Sequence, residues 1–211
     1  MTVYDVGGGK TPFLSPEEKR RLRLRVVAID VDKGELARAP HGSYDEAVCA
    51  DICSYVGSQD ADVVICQALL EHVPDVEQAL RSLVGIAKPG GHVLVFVPSR
   101  NAAFARLNLV LPEWLKRRVL FTIWPAAAEK QGFQAYYDRC TPRQFHDLAA
   151  SFGLVVQSER HYFTSAYFKF CFPLHLAWRI WMAAFYVIRG NEAAETFVVA
   201  LHRPLEARAA A

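Results

Sequence analysis

The chain has 211 residues and a mass of 23.7 kDa, enough for one well-buried α/β core and too short for two ordinary catalytic domains. A formal charge of +2 and an isoelectric point near 8.3 fall short of the basic footprint of a dedicated nucleic-acid binder, so no nucleic-acid partner is expected. Five cysteines, none in a C-x-x-C pair, read as reduced thiols rather than a zinc or redox motif, and no metal is expected.

The amino terminus runs directly into a strand and a glycine loop, without a basic stretch followed by an apolar one. A secretion signal is therefore not expected, and a cytoplasmic location is. Val3–Val6 is the first of five apolar, β-branched runs; Arg25–Ile29, Tyr44–Val48, Val63–Cys66 and His92–Val97 follow. Most are short and nearly continuous, as expected of parallel strands covered on both faces. Before the second run, Ser15-Pro16-Glu17-Glu18 reads as a helix start, with Ser15 as cap, proline in the first turn and two carboxylates at the positive helix end. Apolar residues three and four apart from Pro74 to Val84 predict a further helix, which Lys88-Pro89-Gly90-Gly91 ends. Repeated β-α-β alternation predicts a doubly wound, mostly parallel sheet with its ligand at the carboxyl ends of the strands.

The loop Asp5-Val6-Gly7-Gly8-Gly9-Lys10-Thr11 follows the first strand at once, so its backbone can approach a ligand that a Cβ would obstruct. A Walker A reading of Gly9-Lys10-Thr11 fails because Tyr4 stands where the first glycine is required. A dinucleotide fingerprint begun at Gly7 and Gly9 fails because Pro12 replaces its third glycine. Asp30 ends the second strand about 20 residues beyond the glycines, where a carboxylate can accept both hydroxyls of a ribose. Glycine loop and terminal acid together point to an adenosyl group; taken alone, Asp30 also reads as a strand-end turn residue.

Four segments in order resemble the class I S-adenosylmethionine-dependent methyltransferases of the type 11/12 kind: Asp5–Gly9, Ile29-Asp30, Asp62–Val73 and Lys88–Val95. The resemblance is close over residues 2–100 and looser beyond. It implies a Rossmann-like, seven-stranded sheet with an antiparallel last strand and helical insertions, and S-adenosylmethionine as cofactor. By the same resemblance, Asp5, Gly7, Gly8 and Gly9 pass beneath the methionine portion, Asp30 and Val31 meet the ribose, Asp51 and Ile52 meet the adenine, and Cys66 and Gln67 line the sulfonium side. His72 lies just beyond them and reads either as a general base or as a helix-start packing residue. Two departures stand out. Thr11 occupies a position where the family carries a smaller residue, and no helix precedes the first strand, so another segment is expected to close the pocket unless the chain begins late.

Residues 1–211 read as one domain: a cofactor half (1–100), a substrate insertion (101–140), and a C-terminal half (141–205) with an aromatic insertion at 163–194. The insertion after the fifth strand is well placed to form a lid and contains Pro112–Arg118 and Tyr136-Tyr137-Asp138-Arg139. Tyr136, Tyr137 and Arg139 are candidates for recognising a polar acceptor, or else they anchor the loop. Thr141-Pro142-Arg143-Gln144 predicts a capping-box helix start running to Phe152, and Leu154–Val156 with Thr196–Leu201 a strand pair. In the aromatic stretch Ala166–Ile188, Pro173 interrupts the run and Arg179 sits in its remainder, so a spanning helix is not expected. The stretch is expected either to lie at a membrane surface, suiting a lipid-linked acceptor, or to pack on the core, the acceptor pocket or a second copy.

The function expected is methyl transfer to an oxygen or nitrogen of a small-molecule, glycan-linked or lipid-linked acceptor. His72, His146 and His161 are the candidate bases for a hydroxyl acceptor. The competing reading from another class is a non-catalytic scaffold that kept the fold. A nicotinamide-dependent oxidoreductase is disfavoured by the missing third glycine and by the lack of a Tyr-x-x-x-Lys motif.

Overall fold

The computed structural model of the protein describes residues 1–111, 134–164 and 171–205. Its strands are β1 (Thr2–Val6), β2 (Arg25–Asp30), β3 (Glu46–Cys49), β4 (Ala61–Gln67), β5 (Ala87–Pro98), β6 (Val155–Tyr162) and β7 (Thr196–His202), joined in one sheet in the order β3-β2-β1-β4-β5-β7-β6. Strands β1 to β5 run parallel, and β7 runs antiparallel between β5 and β6. The expected seven-stranded sheet with an antiparallel last strand is therefore present, although β6 rather than β7 forms the edge. The winding reverses between β1 and β4, which opens a crevice at their carboxyl ends.

The helices are α1 (Pro16–Leu22), α2 (Lys33–Ala37), α3 (Val76–Ile86), α4 (Ala103–Val110), α5 (Pro142–Ser151) and α6 (Phe172–Arg189), with a 3-10 turn at Leu70–His72 and another at Gly190–Ala193. Helix α1 begins as its sequence dictates: the Ser15 hydroxyl accepts from the Glu18 amide while the Glu18 carboxylate accepts from the Ser15 amide. Helix α3 turns Val76, Ala79, Leu80, Leu83 and Ile86 fully inward, the spacing of one helical face. Each large member of that row contributes about 1.5–3 kcal/mol of burial. Farther along, Phe145 of α5 and Phe197 of β7 meet at 5.8 Å between ring centroids. The Thr141 hydroxyl caps α5 through the Gln144 amide at 3.3 Å, but the Gln144 side chain returns to that hydroxyl rather than to the Thr141 backbone, so only half of the expected capping box forms.

Three expectations are corrected. Lys88–Gly91 does not separate α3 from its strand, because α3 stops at Ile86 and β5 begins at Ala87. The segment instead forms an irregularity within β5, where the β4–β5 register slips and a Cβ at Gly91 would lie 2.8 Å from the Lys88 carbonyl. Tyr44 lies outside β3, which starts two residues later. Pro173 does not interrupt its helix; it occupies the first turn of the 18-residue α6, where a missing N–H leaves no bond unmade. Among the described residues, no helix is long and apolar enough to cross a membrane.

Glu195 ties the second half to the sheet. Its buried carboxylate accepts from the Trp178 indole of α6 at 3.1 Å and from the Ala103 amide of α4 at 3.2 Å, and its carbonyl accepts from Ser99. Glu195→Ala strands two donors at about 1–3 kcal/mol each and should lower unfolding free energy by about 3 kcal/mol. Glu195→Gln keeps an acceptor and should cost less than half as much. Urea denaturation midpoints of the two variants check the difference.

Candidate functional site

The carboxyl ends of β1 and β2 are joined by the glycine turn. The Gly7 amide donates to the Ile29 carbonyl at 2.8 Å, and the Thr11 amide closes back on the Gly8 carbonyl at 2.8 Å. Gly7 and Gly9 adopt φ of +79° and +47°, a region where a Cβ is strained. A Cβ on Gly8 would lie 2.6 Å from Oδ2 of Asp5, and one on Gly9 would lie 3.0 Å from Oδ2 of Asp30. The turn is thus seated between two carboxylates. Asp5 is buried under it and accepts from the Phe13 amide at 2.8 Å and from the Tyr44 hydroxyl at 3.4 Å. Tyr44 also donates to the Gly9 carbonyl at 3.0 Å. Burial pushes the Asp5 carboxyl and the Tyr44 hydroxyl above their ordinary ranges, the latter aided by the charge of Asp5.

Asp30 is half-buried at the end of β2, and its Oδ1 accepts from the Asp32 amide at 2.9 Å. Burial raises its carboxyl from the usual range, against the lowering effect of that amide. Val31 is exposed beside it. Beyond β3, the Ala50 amide donates to the Asp30 carbonyl at 3.0 Å, which sets Asp51 and Ile52 next along the rim. Ile52 is buried, while the exposed Asp51 accepts from the Cys53 amide at 2.9 Å.

On the other side of the turn, β4 ends with Cys66 in the core and Gln67 exposed. Burial pushes the Cys66 thiol well up, which keeps it protonated. Leu69 then folds over the turn, so that a Cβ on Gly7 would touch its side chain at 3.0 Å. Nδ1 of His72 lies 3.0 Å from the Gln134 carbonyl. A carbonyl only accepts, so Nδ1 is the donor in this contact, which assigns the Nδ1–H tautomer.

Residues 134–140 dock here. The amides of Tyr136 and Tyr137 donate to the Glu71 carbonyl at 2.7 and 3.1 Å, Asp138 accepts from the Val76 amide at the start of α3 at 3.1 Å, and Arg139 pairs with Glu77 at 2.8 Å. Asp138 and Arg139 therefore act as anchors of this segment. Tyr137 is buried and Tyr136 exposed. Pro112–Arg118 lies outside the described residues. His146 and His161 are not brought to the rim; both lie against Glu159 of β6, at 3.1 and 3.0 Å.

Two residues of the site were not singled out from sequence, Tyr44 and Glu71. Nothing local marks Tyr44, whose role depends on reaching Asp5 across the sheet. Glu71 carried a signal: an acid set between Leu69-Leu70 and Val73. Its carboxyl is buried, Oε2 has no hydrogen-bond partner among the described residues, and Oε1 lies 3.7 Å from Nε2 of His72. Burial pushes it up to about 7.

Residues 4–95 match the family model described as a methyltransferase domain. The chain is 27% identical over 159 residues to a ubiquinone biosynthesis O-methyltransferase from Cupriavidus pinatubonensis, covering 72% of this chain and 59% of that protein. It is 40% identical over 124 residues to the protein of the same name from Cronobacter sakazakii, covering 56% of this chain and 50% of that one. The chain thus spans little more than half the length of these relatives. Among solved structures, an S-adenosylmethionine-dependent methyltransferase from Methanosarcina mazei aligns with a TM-score of 0.56 at 18% identity, over 97% of this chain and 93% of that one. Another from Mesorhizobium loti aligns with a TM-score of 0.58 at 15% identity, over 96% and 90%. At these identities the structures speak for the fold alone.

Glu71 makes stability depend on pH. Its carboxyl rises from 4.5 to about 7 on folding, so the folded protein holds that proton more tightly than the unfolded chain. Its contribution is complete below pH 4.5, falls as pH rises toward 7, and is lost above that, an amplitude on the order of 3 kcal/mol. Glu71→Gln should flatten this slope and unfold at higher urea than the wild type at pH 8. Urea melts between pH 5 and 8 check both statements.

Proposed function

We propose that the chain, whose residues 4–95 match the methyltransferase-domain model, is a class I S-adenosylmethionine-dependent methyltransferase that transfers a methyl group to a hydroxyl oxygen of a small, partly apolar acceptor. The observation that carries this reading is the nearness of the Asp30 carboxylate to the bare turn of Gly7 to Gly9, where a Cβ on Gly9 would lie 3.0 Å from Oδ2 of Asp30. That arrangement fits an adenosyl group: backbone without Cβ atoms admits close approach, and a half-buried carboxylate is available to two ribose hydroxyls. In this reading Asp5 braces the turn from below and Val31 flanks the ribose. Asp51 and Ile52 hold the adenine, and Cys66 and Gln67 bound the sulfur side. Oxygen is favoured over nitrogen by the relatives, which are named as O-methyltransferases.

When bound, S-adenosylmethionine supplies a methyl carbon made electrophilic by its positively charged sulfur. The protein's own part is to place the acceptor in line and to exclude water, which can supply most of the acceleration. Nε2 of His72 takes the proton of the acceptor hydroxyl, held in the right tautomer by the Gln134 carbonyl. Tyr136 faces the acceptor from the docked segment, with Tyr137 and Arg139 fixing it there. The apolar character of the acceptor is supported by the exposed side chains of Phe172, Ile180, Val187 and Ile188 along α6, which suit a lipid-linked or membrane-borne compound.

Calorimetry with S-adenosylhomocysteine tests the cofactor half: Asp30→Ala should weaken binding at least tenfold. Wild-type protein that binds neither this compound nor S-adenosylmethionine would move the reading to a scaffold. For the acceptor half, isotopically labelled cofactor is incubated with a cell extract and the protein. His72→Ala should cut label transfer by about 10²-fold or more while leaving cofactor affinity unchanged; transfer at full rate would remove His72 from the mechanism.

A further inference from the structure

A cavity of about 370 Å³ opens on the same rim beyond β5, between α4, α5 and α6. Its walls carry four guanidinium groups, from Arg100, Arg106, Arg143 and Arg189, against the single carboxylate of Glu192. Glu192 is already engaged: Oε1 accepts from the Arg143 amide at 2.7 Å and Oε2 from the Asn101 side chain at 3.3 Å. Arg106 is engaged as well, donating to the Asn101 side chain at 3.3 Å and lying over the rings of Phe185 and Trp181 at 5.1 and 5.9 Å. Arg100, Arg143 and Arg189 make no side-chain hydrogen bond or ion pair among the described residues. These groups come from places 43 to 89 positions apart in the chain (100, 143 and 189), so the fold, and not one basic run, brings them together.

We propose that this cavity is an oxyanion subsite that seats a phosphate or carboxylate group of the acceptor, a reading that rests on the methyl-transfer function proposed above. Guanidinium groups bind such oxygens bidentately, and four like charges that converge around one carboxylate are relieved by a further anion. The cavity also includes the first turn of α5, the positive end of that helix. Its volume suits a small-molecule fragment, and Phe185 offers an apolar wall. Position supports the assignment. Arg100 and Asn101 follow the end of β5, and the Ala68 amide just after β4 donates to the β5 carbonyl of Phe96 at 2.9 Å. The subsite and the Gln67–His72 segment therefore lie beyond the ends of neighbouring strands. An acceptor anchored by its anion here presents its hydroxyl toward His72.

The test uses the full chain, with inorganic pyrophosphate as probe and with vesicles of phosphatidylglycerol or phosphatidylcholine. Pyrophosphate should bind the wild type, more weakly as salt rises, and the Arg100→Gln/Arg143→Gln double variant should lose at least tenfold in that affinity. S-adenosylhomocysteine affinity should be unchanged, which also reports that the variant is folded. The labelled product from the cell extract should be retained on an anion-exchange resin. Binding to phosphatidylglycerol vesicles but not to phosphatidylcholine, lost in the double variant, would assign the anion to a lipid headgroup; pyrophosphate binding without vesicle binding would assign it to a soluble acceptor. Pyrophosphate affinity that is absent, or equal in wild type and variant, overturns the subsite, as does an uncharged labelled product. Retained pyrophosphate binding with no affinity for S-adenosylhomocysteine would instead overturn the methyl-transfer reading and leave the anion site standing.

Discussion

The site depends on one steric fact: the turn of Gly7 to Gly9 sits between the carboxylates of Asp5 and Asp30 because no Cβ stands in the way. Everything on the cofactor side follows from that seating. The Ile29 carbonyl receives the turn's first amide, and Asp30 ends the same strand, so the distance between turn and acid is set by sheet register rather than by flexible side chains. Two acids so close to one turn are an electrostatic liability, and the charge of Asp30 helps to raise the carboxyl of Asp5. The Phe13 amide and the Tyr44 hydroxyl offset part of that cost by donating to Asp5. Such a concentration of perturbed carboxyl groups beside a crevice is what a binding site requires and a stability-optimised surface would avoid.

The segment after β4 is the hinge between this side and the next. Leu69 lies on the glycine turn, Glu71 receives the docked residues through its carbonyl, and His72 is oriented by Gln134. Position is thus transmitted from the sheet to the candidate base by packing and main-chain hydrogen bonds, with α3 as the anvil: Asp138 and Arg139 fasten the docked segment to its first turn. The buried Glu71 carboxyl costs this turn least when it is neutral, so a structural group next to the candidate base changes its charge near pH 7.

Features that a few neighbouring residues decide were legible in the sequence. The helix start at Ser15, the apolar face of α3 and the alternation of strands and helices each follow from spacing alone, as does the pairing of a glycine loop with Asp30. What failed needed partners far along the chain. Tyr44 has the look of a strand residue and is instead spent on Asp5 and Gly9. Lys88–Gly91 has the look of a turn, but its irregular backbone is held by a partner far along the chain: the Gly90 amide donates to the Arg203 carbonyl at 2.8 Å and the Gly91 carbonyl accepts from the Arg203 amide at 2.9 Å. Pro173 is ambiguous from sequence, since proline both breaks a helix and begins one, and the cavity arginines carry no local pattern at all. The sequence left two readings open for Arg139, acceptor recognition or loop anchor, and the partner it meets in the fold, Glu77, lies 62 positions away.

Composition concealed the charge arrangement for the same reason. A net charge of +2 averages over a rim that is acidic at one end and basic at the other: Asp5, Asp30 and Asp51 gather at the carboxyl ends of β1 to β3, while Arg100, Arg106, Arg143 and Arg189 gather beyond β5. Polarity of this kind suits the proposed reactants, because a cationic sulfonium and an anionic acceptor would each be drawn to the end of opposite sign. At physiological salt the screening length is about 8 Å, shorter than the rim, so each end attracts its own ligand with little interference from the other. The strands between them, β1, β4 and β5, then fix the separation at which the two ligands meet, and a rigid sheet is better suited than a loop to hold a methyl group and its acceptor in line.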